Sequence, residues 1–152
     1  MENKEKKFFP LFTDLTDKKV VVFGAGSIAS RRVKTLLSFV KKMEVVAPEA
    51  SPEILALSEE GQLTYRQKEY ALADICDADL VIAATNNPEV NDAVYRACKE
   101  HGILVNTASD QQKCDFHFPG IIEQDGIVIG FNGGGRDHKK VREMRCKVEQ
   151  AL

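Results

Sequence analysis

Apolar and polar positions fall into blocks along this chain, and the period changes from block to block. Residues 20–23, Val20-Val21-Val22-Phe23, form an unbroken β-branched apolar run, the pattern of a strand buried on both faces. Residues 28–39 then take up a helical period of 3.6, and residues 44–47 return to a strand pattern. A second helix is predicted over residues 52–60, with Pro52 at the favoured first position after Ser51 and Gly61 closing it. Residues 63–66 and 80–84 read as the third and fourth strands. Asn87-Pro88 opens a helix whose apolar residues Val90, Ala93, Val94, Ala97 and Cys98 keep the i, i+3, i+4, i+7 spacing until Gly102, and residues 103–105 form a fifth strand. Strands that alternate with helices build a parallel sheet through β-α-β crossovers, so the pattern predicts a doubly wound α/β fold.

After Asn106 the pattern changes. The apolar runs over residues 116–123 and 127–131 flank Gln124-Asp125-Gly126, and Asp-Gly between apolar runs marks a hairpin. Gly133-Gly134-Gly135 then leads into a charged helix over residues 137–152. Residues 1–106 are accordingly read as a Rossmann-like α/β domain and residues 107–152 as a hairpin and helix extension. The extension has one apolar face more than a monomer would cover, which predicts dimerisation or substrate binding for it.

The chemistry starts at Gly24-Ala25-Gly26-Ser27-Ile28-Ala29, a G-x-G-x-x-A turn that follows a strand and opens a helix. Gly24 lets the chain leave the strand in a tight turn, Gly26 leaves room for a pyrophosphate against bare backbone, and Ala29 keeps helix and strand close. The helix N-terminus offers free N–H groups and a partial positive charge to the anion. Apolar content of 43% and charged content of 29% describe an ordinary globular chain, and a net charge of −2 gives no general attraction to nucleic acid. No apolar run reaches the length of a membrane span, and the charged opening Met1-Glu2-Asn3-Lys4-Glu5-Lys6-Lys7 lacks the apolar core of a signal peptide, so a cytoplasmic location is expected. Cys76, Cys98, Cys114 and Cys146 lie far apart without a C-x-x-C pair, which predicts reduced, structural thiols.

Several segments together resemble one family. Pro10-Leu11-Phe12, the glycine turn with Ser30-Arg31-Arg32 behind it, Val45-Val46-Ala47-Pro48-Glu49, Ile82-Ala83-Ala84-Thr85-Asn86-Asn87-Pro88, Val105-Asn106 and Cys114-Asp115-Phe116-His117-Phe118-Pro119 are similar, in this order, to the precorrin-2 dehydrogenases. Some members of that family also insert iron into sirohydrochlorin. The resemblance runs from about residue 8 to residue 135. It implies a Rossmann-like fold, NAD-dependent oxidation of precorrin-2 to sirohydrochlorin on the route to siroheme, and a homodimer. It also places the dinucleotide contacts on Ser27 and Ile28 after the glycine turn and on Pro48 and Glu49 after the second strand.

The residues agree in part. A dinucleotide site usually has an acid at the end of its second strand for the ribose hydroxyls. Ala47 holds that position here, and Glu49 is the nearest carboxylate, equally readable as an exposed acid at the foot of a helix. No arginine stands beside Glu49 to receive a 2′-phosphate, which favours NAD over NADP. Thr85 and Asn86 lie just past the fourth strand, where they can bond the nicotinamide ribose or carboxamide; Asn86-Asn87-Pro88 equally reads as a cap and turn.

Oxidation also needs an acceptor for the proton released with the hydride. The family's aspartate for this role, aligned without gaps, falls on Ser109, with Asp110 beside it. The candidates are Asp110 after a one-residue shift, Ser109 itself, or no side-chain base in a merely polar loop. No metal site is expected: Cys114 and His117, three apart, face opposite sides of an alternating strand, and packing explains them, Asp115 and His138. The last helix sets Arg136, Lys139, Lys140, Arg142, Arg145 and Lys147 against Asp137, Glu143 and Glu149. That basic wall suits a tetrapyrrole rich in carboxylates, and such a run also describes a solvated helix face. Family members carry a longer helical region there, which leaves the iron-insertion step open. A non-catalytic NAD-binding sensor or scaffold in tetrapyrrole metabolism, and a dehydrogenase for another small acid, are the rival readings.

Overall fold

The computed structural model describes residues 6–152. Most of the charged opening read above as lacking a signal core, residues 1–5, lies outside the described residues. The chain forms two compact units, Asp14–Phe116 and a second that joins residues 6–13 to His117–Leu152.

In the first unit, β1 (Lys19–Phe23), α1 (Ser27–Leu36), β2 (Lys42–Ala47), α2 (Pro52–Glu59), β3 (Thr64–Gln67), β4 (Leu80–Ala83), α3 (Pro88–His101) and β5 (Leu104–Thr107) follow one another. The strands make one parallel sheet in the order β3-β2-β1-β4-β5, the doubly wound α/β fold read from the sequence. Phe23 stands level with both Val46 and Ala83, so the carboxyl ends of the central strands finish together. Val20, Val21 and Val22 are fully buried, as a central strand covered on both faces requires. Val21, Phe23, Val81, Ala83 and Val105 gather on one face with Val94, Ala97 and Cys98 of α3. Strand alternation turns Val20, Val22 and Ile82 to the other side, where α1 contributes buried Ala29, Val33 and Leu36.

Differences from the sequence pattern lie at element ends. α1 stops at Leu36 because the ladder tightens there, Phe39 N–H turning to Leu36 O at 2.9 Å. β5 begins at Leu104 and runs on to Thr107. Residues 107–116 stay with the sheet, where an extension starting at 107 was expected: Asn106 bridges Cys114, Asp115 N–H donates to Val105 O at 2.8 Å, and Val105 N–H donates to the Asp115 carboxylate at 3.0 Å.

In the second unit, β6 (Gly120–Gln124) and β7 (Ile127–Phe131) pair antiparallel around Asp125-Gly126. Both turn residues have positive φ, 52° and 77°, as a two-residue hairpin demands. The apolar run that starts at Phe116 joins the ladder only after Pro119, which has no N–H to give it. α4 (His138–Ala151) starts from Asp137, whose carboxylate accepts from Lys140 N–H at 2.8 Å. All four cysteines are unpaired thiols, and burial pushes that of Cys98 up to about 12. Among the described residues no helix is long and apolar enough to cross a membrane.

The turn between β3 and β4 hangs on a buried carboxylate. Asp74 accepts from Lys68 Nζ at 2.5 and 2.7 Å and from Ala71 N–H at 2.8 Å, with Arg66 at 3.3 Å. Burial alone would raise its pKa, but these partners outweigh burial and hold it below the ordinary 3.8. A depressed carboxylate contributes stability that is complete above its unfolded pKa and is lost as the pH falls through the lower folded value. The stability difference between the wild type and Asp74→Asn should therefore be constant at neutral pH and shrink below about pH 4; denaturant midpoints measured across that range check it.

Candidate functional site

The carboxyl edge of the sheet, where strand order reverses between β1 and β4, gathers the residues singled out above. Two glycines divide the work of the first turn. Gly24 has φ of +102°, and a β-carbon there would lie 2.2 Å from Ala84 O and 2.9 Å from Thr85 N. It is a glycine because β4 leaves the sheet against it. Gly26 has ordinary extended backbone and is exposed, and a β-carbon there would meet nothing within 4 Å. The fold does not require glycine at 26, so the bare backbone is space kept for something else.

α1 begins at that space. Gly26 supplies no side-chain cap, and no acid stands in the first turn. α2, α3 and α4 differ: Ser51, Asn87 and Asp137 cap them, and Glu53 and Glu89 lie in the first turns of α2 and α3. The first N–H groups of α1 thus have no side-chain cap, the arrangement that suits an anion. Ser27 and Ile28 are exposed there, Ile28 at 52%. Ser30, fully buried, holds the turn: its hydroxyl donates to Gly26 O at 2.7 Å and lies 2.9 Å from the hydroxyl of Ser51, while Ser51 N–H donates to Ala25 O at 2.9 Å.

Beyond β2, Pro48 and Glu49 are exposed. The carbonyl of Ala47 accepts from Tyr65 OH at 2.9 Å and from Lys68 N–H at 3.2 Å, and Gln67 Nε2 donates to Pro48 O at 3.2 Å. Burial raises the Tyr65 phenol, and the nearby charge of Glu49 adds to it.

The loops after β4 and β5 are tied together by a residue that the sequence reading passed over. Asn91 of α3 is 2% exposed. Its Oδ1 accepts from Thr85 N–H at 3.1 Å and from Thr85 Oγ1 at 2.7 Å; its Nδ2 donates to Thr85 O at 3.1 Å and to Ser109 Oγ at 3.4 Å. The hydroxyl of Thr85 is occupied within the loop, and Asn86 is the exposed member of that pair. The clue to Asn91 was its spacing: it lies three before Val94 and seven before Cys98, on the buried stripe of the helix.

Ser109 is exposed, whereas Asp110 is half-buried and engaged. Asp110 caps a short 3-10 turn, accepting from Gln112 N–H at 3.0 Å, and faces Lys113 at 3.8 Å. Behind these loops Arg32 of α1 donates to Asn106 Oδ1, and Asn106 Nδ2 donates to Phe116 O at 2.8 Å. Burial lowers the pKa of Arg32, with Cys114 opposing that shift. The Cys114 thiol donates to Thr107 O at 3.2 Å and to Asp110 O at 3.3 Å, and burial raises its pKa. Asp115 pairs with Lys99 at 2.6 Å. Among the described residues no cluster of three or more His, Cys, Asp or Glu side chains is arranged to hold a metal.

In the second unit, the charged face of α4 is exposed. Arg145 pairs with Glu149 at 3.3 Å and Lys139 with Glu143 at 4.0 Å, while Lys140, Arg142 and Lys147 face solvent. The ring of His117 lies 4.0 Å from that of Phe8, and its Nδ1 is 3.3 Å from Asn132 Oδ1.

Residues 11–120 match a family described as putative NAD(P)-binding. The probable multifunctional siroheme biosynthesis protein HemA of Ruminiclostridium josui is 45% identical over 147 residues, 94% of this chain and 28% of that protein. The siroheme synthase of Buchnera aphidicola subsp. Acyrthosiphon pisum is 32% identical over 145 residues, 95% of this chain and 31% of its own length. The chain therefore spans less than a third of these relatives. Among solved structures, SirC, a precorrin-2 dehydrogenase, superposes with a TM-score of 0.81 at 25% identity, over 95% of this chain and 71% of its own.

The two glycines should separate in mutagenesis. Gly24→Ala drives a β-carbon into a carbonyl at positive φ and should cost about 3 kcal/mol, lowering the melting temperature by roughly 10 °C. Gly26→Val should leave the melting temperature of the empty protein within a few degrees and abolish dinucleotide binding, since the new side chain enters the anion's space. Calorimetry and thermal melts on both variants check this.

Proposed function

The chain belongs to the putative NAD(P)-binding family whose model spans residues 11–120, and from that premise we propose that it is an NAD-dependent dehydrogenase that oxidises precorrin-2 to sirohydrochlorin in siroheme synthesis. One observation carries the nucleotide reading: α1 starts uncapped and without acid at a glycine whose β-carbon position is open. The substrate is supported by the siroheme enzymes that the chain resembles and by its likeness to SirC across nearly its full length.

Gly26, Ser27 and Ile28 hold the pyrophosphate through backbone N–H groups, with Ser30 keeping the turn in shape. Glu49 stands for the ribose hydroxyls beyond β2, and with no arginine beside it the site takes NAD in preference to NADP. Thr85 and Asn86 border the nicotinamide half, Thr85 through the loop it fixes and Asn86 through its exposed amide. Bound there, NAD supplies the acceptor for the hydride taken from the reduced macrocycle. The proton released with it goes to Asp110, three residues beyond the carboxyl end of β5, or directly to water. The exposed basic residues Lys140, Arg142 and Lys147 of α4 are of the kind that pairs with ligand carboxylates.

Incubating the protein with precorrin-2 and NAD should produce the absorbance of sirohydrochlorin, faster than with NADP. Asp110→Asn should keep NAD affinity and lower the oxidation rate by roughly 10²–10⁴-fold if the carboxylate takes the proton. NAD binding with no sirohydrochlorin under any condition would favour the sensor or scaffold reading.

We further propose a cytoplasmic homodimer. Phe9, Leu11, Phe12 and Ile127, all of the second unit, are 64–87% exposed, and a two-fold partner would cover such residues. Light scattering at micromolar concentration should give twice the chain mass of 16.9 kDa; a single chain mass would overturn the dimer.

A further inference from the structure

The orientation of the Asn91 amide is set by its surroundings. Thr85 offers it one backbone N–H and one backbone C=O, at 3.1 Å each, and only one placement of the amide oxygen and nitrogen satisfies both. That placement puts Oδ1 toward the Thr85 N–H and hydroxyl, and it spends one Nδ2 hydrogen on Thr85 O. The second Nδ2 hydrogen then points to Ser109 Oγ, 3.4 Å away.

The consequence falls on Ser109. A serine hydroxyl has one proton to give and two lone pairs to receive with. With Asn91 donating to it from the buried side, the hydroxyl has no reason to turn its proton inward, where it would meet another donor. Its own O–H is left to point out of the protein, and Ser109 is exposed at the carboxyl end of β5. A dinucleotide anchored between β1 and β4 in this fold class lays its nicotinamide half across the neighbouring strand ends.

Resting on the dinucleotide reading above, we propose that Asn91 is a positioning residue that holds Ser109 as a hydrogen-bond donor, not a base, toward an acceptor oxygen of the nicotinamide half of NAD. The same amide fixes the Thr85–Asn86 loop, so one buried side chain sets both walls at this end of the site. Ser109 in this role puts a directed proton where an aspartate would put a negative charge. It is suited to a carboxamide or ribose oxygen and unsuited to accepting a proton from the substrate.

The test is NAD affinity by calorimetry, on the intact chain and in the absence of any tetrapyrrole. Ser109→Ala should weaken NAD binding about three- to tenfold, the worth of one neutral hydrogen bond, and Ser109→Thr, which keeps the hydroxyl, should restore most of it. Asn91→Asp keeps every heavy-atom position but, ionised, donates neither to Ser109 nor to Thr85 O, so the hydroxyl of Ser109 turns inward to the new carboxylate; this variant should lose at least as much. Combining Asn91→Asp with Ser109→Ala should add little beyond Asn91→Asp alone, a coupling that a purely structural role for Asn91 would not produce. Unchanged affinity in Ser109→Ala, equal loss in Ser109→Thr, or fully additive losses in the double variant would overturn the inference while leaving NAD binding by the wild type intact. If Asn91→Asp does not fold, the contrast between the two Ser109 variants decides by itself. Absence of NAD binding by the wild type would sink the nucleotide reading and this inference with it.

Discussion

The carbonyl of Ala84 and the α-carbon of Gly24 approach so closely that no β-carbon fits between them, and the geometry of the whole carboxyl edge follows from that contact. It lets β1 and β4 finish side by side, with Ala84 N–H donating to Phe23 O at 2.8 Å, before the two chains part to opposite faces of the sheet. A wider separation would carry Ala25 away from the Ser51 N–H and Thr85 away from Asn91, because each of those bonds starts within a residue or two of the contact. The glycine that carries the strand-end packing and the glycine whose β-carbon position is open are two residues apart and answer to different constraints.

The middle of the fold was legible because it is written in burial. A central parallel strand loses both faces to helices and therefore reads as an unbroken apolar run, as Val20, Val21 and Val22 do. Helix starts were legible where a cap is a side chain, as at Ser51 and Asn87. Element ends were less so, since a backbone that tightens into a 3-10 turn after Leu36 leaves no mark in composition. The separation of the hairpin from the sheet at 116 was not legible at all. It rests on Asp115 joining β5 through both its backbone and its carboxylate, and neither contact has a sequence period.

The site shows the same division. Glycines and strand ends announce themselves, whereas the groups that orient them are short polar residues placed on apolar stripes. Asn91 and Ser30 both sit at fully buried helix positions, where a reading by apolar periodicity passes over them. Thr85 was legible as a polar residue at the right edge, but its hydroxyl is spent on Asn91, so position alone could not distinguish a residue that touches a ligand from one that shapes the loop. Arg32 was hidden in a further way. Its long stem lets a charged residue lie half-buried and reach Asn106 from the neighbouring helix, a reach that spacing along one helix cannot foresee.

The bare start of α1 also bears on how long the folded protein lasts. A side-chain cap of the kind found on α2, α3 and α4 contributes about 1 kcal/mol, and α1 forgoes it. Whatever anion occupies the turn returns that stabilisation with interest that grows with the logarithm of its concentration over its dissociation constant, about 2.7 kcal/mol at a hundredfold excess. The empty chain therefore opens most often, and opening is what a protease samples. An occupied turn would in that way also lessen the exposure of the fold to proteolysis.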